Sequence, residues 1–195
     1  MKNTALAALL IFAATAFTTS TAQVTPPGTA AQGVQDTAAA SFVSKARMAN
    51  MMEIETGQLA QQKGADQDVK QFGSRMVQDH TAADEQLKQL VRNKQLDASA
   101  QGTPDPKMAS AADKLKQASG ADFDKEYITL QIKGHMKNIM LFEKASRDVQ
   151  DPEIRDFAVK TLPALREHLE MAQAIAKRLN IDVSGMGGGS PGMNH

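Results

Sequence analysis

The stretch "LDASAQGTPDPK" (Leu96–Lys107) interrupts the helical pattern of the chain and decides how its helices connect. Its two prolines and one glycine separate helices rather than continue one. On each side of it lie two long helical segments joined by a short turn, which forces antiparallel pairs. The link itself is long enough to run the length of a bundle. The sequence therefore predicts an all-α, ferritin-like four-helix bundle with one long crossover connection between helices 2 and 3. An up-down-up-down bundle ranks second, because it needs only a short loop there.

Helix-starting signals support this division, and no segment alternates with the period of two that is typical of strands. Aspartate, serine and threonine are the residues that commonly cap helix N-termini. The predicted starts are Asp36 or Thr37 for the first helix, Asp66 for the second, Ser119 for the third and Asp151 with Pro152 for the fourth, and a short extra helix is predicted over roughly 108–118.

The N-terminus has the layout of a secretory signal peptide: Lys2, an apolar run over 5–17 and the small residues Ser20-Thr21-Ala22. The run is shorter than the about 20 residues that a membrane span needs. We therefore expect an exported protein, periplasmic in a diderm bacterium, with no membrane span after cleavage and an outer-membrane association left open. The expected divisions are a signal peptide over 1–22, a flexible linker over 23–35, the helical domain over 36–180 and a flexible Gly/Met tail over 181–195.

Composition excludes several classes of function. The chain has no cysteine, which excludes disulfides and a cysteine nucleophile. Its formal net charge is zero, with one tyrosine and no tryptophan. Nucleic-acid binding normally requires a basic surface and stacking aromatic side chains, so no nucleic-acid partner is expected.

One ionisable residue on each predicted helix occupies a position where the spacing calls for an apolar side chain. These residues are Glu53, His80, His135 and His168. Burying such groups costs several kcal/mol unless they are hydrogen-bonded or bound to a metal. Imidazoles and one carboxylate suit a zinc, copper, iron or manganese ion. A hydrogen-bonded network that fixes helix register would satisfy the same groups, and both alternatives stay open.

Methionines are frequent in the predicted helices. Thioethers suit copper(I), but methionine is also an ordinary filler of helical cores, and the sequence favours this second interpretation. The residues are Met48, Met51, Met52, Met76, Met136, Met140 and Met171.

Four segments resemble a bacterial family of exported proteins, DUF4142, a domain of unknown function. They are "FVSKARMANMMEIETGQLA" (Phe42–Ala60), "MVQDH" (Met76–His80), "SGADFDKEY" (Ser119–Tyr127) with the later His135, and "LPALREHL" (Leu162–Leu169). The resemblance extends from about Asp36 to Leu179. It implies a ferritin-like fold and export, and it implies no activity.

The wider ferritin-like group often binds two metal ions through Glu-x-x-His motifs. Here the residue three before each histidine is Val77, Ile132 or Leu165, and none is acidic. A di-iron oxidase or iron store is therefore not expected, and a single imidazole-rich metal site, or no metal, fits better.

The sequence favours a non-enzymatic protein that acts in binding or in envelope stress, with a polar interior that can hold one transition-metal ion. Two alternatives are a metal-dependent redox enzyme at the same site and a purely structural or interaction module. A metal ion is a candidate partner, and a protein partner and the oligomeric state stay open.

Overall fold

The computed structural model of the protein describes residues 29–96 and 105–186, with side chains described from Thr37 onward. Within these ranges the chain is helical, with one isolated bridge between Gly64 and Gly120 in place of any strand. The prediction of an all-α fold is confirmed. The described ranges contain five α-helices: α1 (Thr29–Lys63), α2 (Gln67–Lys94), α3 (Pro106–Gln117), α4 (Gly120–Asp148) and α5 (Pro152–Arg178), followed by a short 3-10 turn at Ser184–Met186. Four of them are long, and α3 lies where the sequence predicted a short extra helix.

Aspartates start three of these helices. The side chain of Asp66 accepts hydrogen bonds from two backbone N–H groups at the start of α2. Asp151 does the same for α5, and Asp105 caps α3 through one backbone N–H group. Each bond satisfies a backbone donor that has no partner inside the helix. The predicted starts at Asp66 and Asp151 are confirmed, whereas Ser119 makes no side-chain cap at α4.

The helical region extends beyond the predicted domain at both ends. The sequence placed a flexible linker over 23–35, but α1 begins at Thr29. Alanine-rich sequence favours helix, and adding residues to an existing helix needs no new nucleus. In the predicted tail, Ile181, Val183 and Met186 pack against the core. Residues 1–28 and 187–195, with the predicted signal peptide, lie outside the described residues.

Contacts at the two ends of the bundle fix the helix directions. The backbone N–H groups of Ala65 and Asp66, between α1 and α2, donate to the Asp124 carboxylate near the start of α4 at 3.0 and 2.9 Å. At the opposite end, Lys94 Nζ on α2 lies 2.9 Å from Asp151 Oδ2, just before α5. Helices α2 and α4 therefore run in the same direction, and the connection that contains α3 spans the bundle.

The bundle interior consists of two apolar clusters separated by polar side chains. The first cluster includes Phe42, Leu87, Phe142 and Phe157, and the second includes Phe72, Met76, Phe123 and Tyr127. Between them on all four long helices lie buried polar residues, which we call the polar layer: Asn50, Glu53, Thr56, His80, Gln131, His135 and His168.

Helices α1 and α2 approach closely at two glycines. A Cβ atom on Gly73 would lie 2.7 Å from Ala60 Cβ and 2.8 Å from the Gly57 carbonyl oxygen. A Cβ atom on Gly57 would lie 2.7 Å from the Gly73 carbonyl oxygen. No side chain fits at either position without separating the helices. This contact sets the spacing of α1 and α2 in the half of the bundle that contains the second apolar cluster.

Candidate metal centre

Three histidines from three helices meet in the polar layer: His80 from α2, His135 from α4 and His168 from α5. One nitrogen of each lies within 4.8 Å of the others. The ring centroids are 5.3 to 5.7 Å apart, and the side chains are at most 4% exposed. The structure therefore brings together three of the four residues that the sequence singled out.

Hydrogen bonds fix which nitrogen carries the hydrogen in two of these rings. His135 Nδ1 lies 3.0 Å from the Gln131 carbonyl oxygen, and His168 Nε2 lies 2.9 Å from Asp79 Oδ2. Burial would raise the pKa of Asp79, but hydrogen bonds from Arg75 and His168 outweigh burial and lower it. A carbonyl and an ionised carboxylate only accept hydrogen bonds, so both of these nitrogens are donors.

In the neutral rings, the remaining nitrogens of these two histidines are both acceptors. His135 Nε2 and His168 Nδ1 lie 3.3 Å apart. Two nitrogen ligands of a tetrahedral ion, each at 2.0–2.1 Å from it, are separated by about 3.3 Å. The pair thus has the separation that a shared cation requires.

The third ring has the same arrangement. His80 Nδ1 lies 2.9 Å from Asn50 Oδ1, whereas His80 Nε2 is buried and has no hydrogen-bond partner within the described residues. Burial, followed by the positive charges that His135 and His168 would carry, lowers the pKa of His80 to about 3. The ring is therefore neutral at pH 7, and Nε2 keeps its lone pair.

Burial disfavours a second proton on the rings of this centre. Burial is the largest cause of the lowered pKa of His168, and it outweighs the stabilising effect of Asp79. A low-dielectric interior disfavours an imidazolium without a close counter-charge. A metal ion bound directly by the lone pairs gains several strong bonds in exchange for its lost hydration, which a single proton does not.

Glu53 lies behind the histidines rather than among them. Its Oε2 accepts a hydrogen bond of 2.6 Å from Gln131 Nε2, and its Oε1 lies 4.0 Å from His135 Nδ1, the nitrogen already bonded to a carbonyl. Burial raises the pKa of Glu53, and the charge on His135 and the Gln131 hydrogen bond reduce the shift. The structure places Glu53 outside the group of nitrogens within 4.8 Å of one another.

Two residues that orient the rings were not predicted. Asp79 is one residue before His80, yet it bonds His168 on another helix, and its i,i+4 pairing with Arg75 is typical of a solvated helix surface. Asn50 follows Ala46 by four residues and so continues the buried stripe of α1. Helical spacing alone therefore places a polar amide in the interior at Asn50, and this signal could have identified the residue.

No helix in the described ranges is both long enough and apolar enough to cross a membrane.

The fold is similar to a solved structure of DUF305 from Streptomyces coelicolor, described as a predicted secreted protein. The two share 12% sequence identity with a TM-score of 0.65, over 75% of this chain and 96% of that one. At this identity the likeness shows the fold alone. No curated protein matches the sequence. A family model described as "Domain of unknown function (DUF4142)" matches residues 24–175, a range that includes all three histidines of the centre. The chain belongs to the DUF4142 family.

Proposed function

We propose that the protein is an exported helical-bundle protein that binds one transition-metal ion through His80, His135 and His168. The observation that carries this proposal is the shared hydrogen-bond pattern of the three rings. Each directs one nitrogen to an oxygen outside the cluster. Inside the cluster, His80 Nε2 has no partner among the described residues, and His135 Nε2 and His168 Nδ1 have only each other, at 3.3 Å. Metal-binding histidines have this pattern, because the outer hydrogen bond fixes the tautomer and the ring orientation.

The ligand set favours zinc or copper over iron or manganese. Imidazole nitrogens suit zinc and copper, whereas manganese prefers oxygen ligands. Three protein ligands leave a fourth position open to water or a small molecule. A binding or carrier role needs no more than this, and it agrees with the absence of an acidic residue three positions before any of the histidines.

Export and a ferritin-like arrangement belong to the same proposal. The neighbouring fold comes from a predicted secreted protein, and the first residues of this chain have the composition of a signal peptide. The parallel course of α2 and α4, with a bundle-spanning connection between them, supports the ferritin-like topology.

The test is a thermal melt of the chelator-stripped protein with and without zinc(II), repeated with copper(II). A ligand at 100 times its dissociation constant adds about 2.7 kcal/mol to the free energy of unfolding. We expect this stabilisation in the wild type and its loss in the double variant His80→Gln, His168→Gln. The matched control is His195→Gln, which removes the histidine outside the described residues and should keep the wild-type shift.

A buried network that only fixes helix register makes the opposite prediction. The double variant would then melt at a lower temperature than the wild type, and neither protein would respond to either ion. That result would contradict the proposal.

A further inference from the structure

Five of the nine methionines in the described residues lie in or against the second apolar cluster, as the sequence favoured: Met76, Met108, Met136, Met171 and Met186. Of the methionines in the described residues, Met76 alone is fully buried. The others are half-buried or exposed, and Met51 and Met140 are 61% and 69% exposed. Met48 and Met52 are half-buried but belong to neither apolar cluster, so core packing does not account for their positions.

Three methionines line one cavity between α1, α3 and α4, which we call the methionine cavity. Its volume is about 540 Å³, and Met48, Met52 and Met108 lie in its wall with Glu53. Met48 and Met52 are one turn apart on α1, so both point to the same side of that helix. Met108 belongs to the first turn of α3, on the opposite wall.

The missing side chain of Gly134 brings a thioether and a carboxylate to the same place. The point where a Cβ atom of Gly134 would lie is 3.1 Å from Glu53 Oε1 and 3.4 Å from Met108 Cε. Glu53 is 4% exposed, and its Oε1 receives no hydrogen bond from the described residues. The cavity therefore reaches one carboxylate oxygen of Glu53, next to a sulfur-bearing side chain.

The donor set selects a soft, singly charged ion. Thioether sulfur is a soft, uncharged ligand that prefers copper(I) to zinc(II) or other hard divalent ions. Neither histidine nor cysteine lines the cavity. Lys45 and Lys137 are at its rim, where Asp105 pairs with Lys137. The two lysines offset the carboxylates of Asp105 and Glu53, so the cavity offers a divalent cation no excess negative charge.

We infer that the methionine cavity binds one copper(I) ion through Met48, Met52 and Met108. This site is separate from the three-histidine centre and does not depend on metal binding there. Glu53 lies between the two, because its carboxylate borders the cavity and is 4.0 Å from His135 Nδ1.

The test is an anaerobic copper(I) titration in competition with a chromophoric copper(I) chelator. We compare the wild type with the triple variant Met48→Leu, Met52→Leu, Met108→Leu, in which leucine keeps the apolar volume. Every protein in this titration also carries His80→Gln and His168→Gln, so that the histidine centre does not compete for copper. The triple variant should bind copper(I) at least about tenfold more weakly. The matched control is Met51→Leu, on the same helix between two proposed ligands but outside the cavity wall, and its affinity should equal that of the wild type.

A second measurement identifies the ligands directly. Silver(I), a redox-inert analogue of copper(I), should shift the NMR signals of the Met48, Met52 and Met108 methyl groups and leave the Met51 signal unchanged. These shifts should persist in the His80→Gln, His168→Gln variant, which separates this site from the histidine centre. Equal copper(I) affinity in the wild type and a folded triple variant would overturn the inference, as would equal silver(I) shifts at Met51.

Discussion

The His80 ring makes the stability of the metal-free protein depend on pH. Its pKa is about 3 in the folded chain against an ordinary value of 6.5. Between these two values the unfolded chain binds a proton that the folded chain does not. The contribution of this difference to the free energy of unfolding is therefore fully present above about pH 6.5. Below that pH the free energy of unfolding falls, by about 1.4 kcal/mol per pH unit for each such histidine.

Urea unfolding of the metal-free protein at several pH values between about 4 and 7 measures this dependence. The variant His80→Leu should show a shallower decline, because one of the proton-binding differences is removed. Part of the decline should remain in this variant, because the pKa of His168 is also lowered. An unchanged slope in His80→Leu would mean that the ring is protonated in the folded state.

Helical spacing was sufficient to find the three histidines, because it tells which residues face the interior. It could not find Asp79 as the partner of His168, because a contact between helices depends on their relative rotation. It accounts for most of the methionines as core residues, but not for Met48 and Met52. The spacing shows that Met48 and Met52 share a side of α1, but not that this side borders a cavity instead of packed core.

The contact between α1 and α2 depends on the glycines that allow it. In Gly73→Ala the new methyl group would lie 2.7 Å from Ala60 Cβ and 2.8 Å from a backbone oxygen, and neither can move without its helix. Alanine favours helix over glycine by about 1 kcal/mol, but overpacking costs about 1–3 kcal/mol. We expect a net loss of stability in thermal or urea unfolding.

The control for this substitution is Gly185→Ala. Nothing lies within 4 Å of a Cβ atom at that position, so the change should leave the melting temperature unaltered. A stabilised Gly73→Ala variant would show that the two helices separate at little cost.

Helix starts with a capping aspartate could be predicted, because the signal is local: Asp66 and Asp151 bond backbone groups two and three residues away. The start of α1 could not be predicted in this way. Asp36 and Thr37 are residue types that cap helices, yet both lie inside α1. Extending an existing helix past them needs no new nucleus, so the capping signal alone does not set the boundary.

The polar layer divides the bundle into two small apolar cores, at a cost in stability. Its Glu53–Gln131 pair is buried on α1 and α4. Replacing both partners of a buried hydrogen bond with apolar groups of similar shape can be nearly neutral or stabilising. The double variant Glu53→Leu, Gln131→Leu should therefore melt at or above the wild-type temperature and keep its zinc(II) response.

The single variants provide the comparison. Gln131→Leu should be less stable than the double variant, because it leaves the Glu53 carboxylate buried without its donor. If the double variant is less stable than both the wild type and Gln131→Leu, the Glu53–Gln131 pair stabilises the bundle, which would contradict this prediction.

The course of the chain was predictable at this scale, because the length of the connection before α4 separates a crossover from a tight turn. The full membership of the polar layer was less predictable from the sequence. Four of its residues were identified from the apolar stripes that they interrupt. Asn50 also lies on the stripe of α1, but its bond to His80 joins two helices, as does the bond between Gln131 and Thr56, and helical spacing does not predict such bonds.

The three histidines are divided between the two halves of the chain. His80 belongs to the pair α1–α2, and His135 and His168 belong to the pair α4–α5. An ion held by all three would fasten one hairpin to the other across the middle of the bundle, so the halves could part only after it dissociated. Occupancy would then govern how long a folded molecule survives, and loaded and empty molecules in one sample would be degraded at different rates.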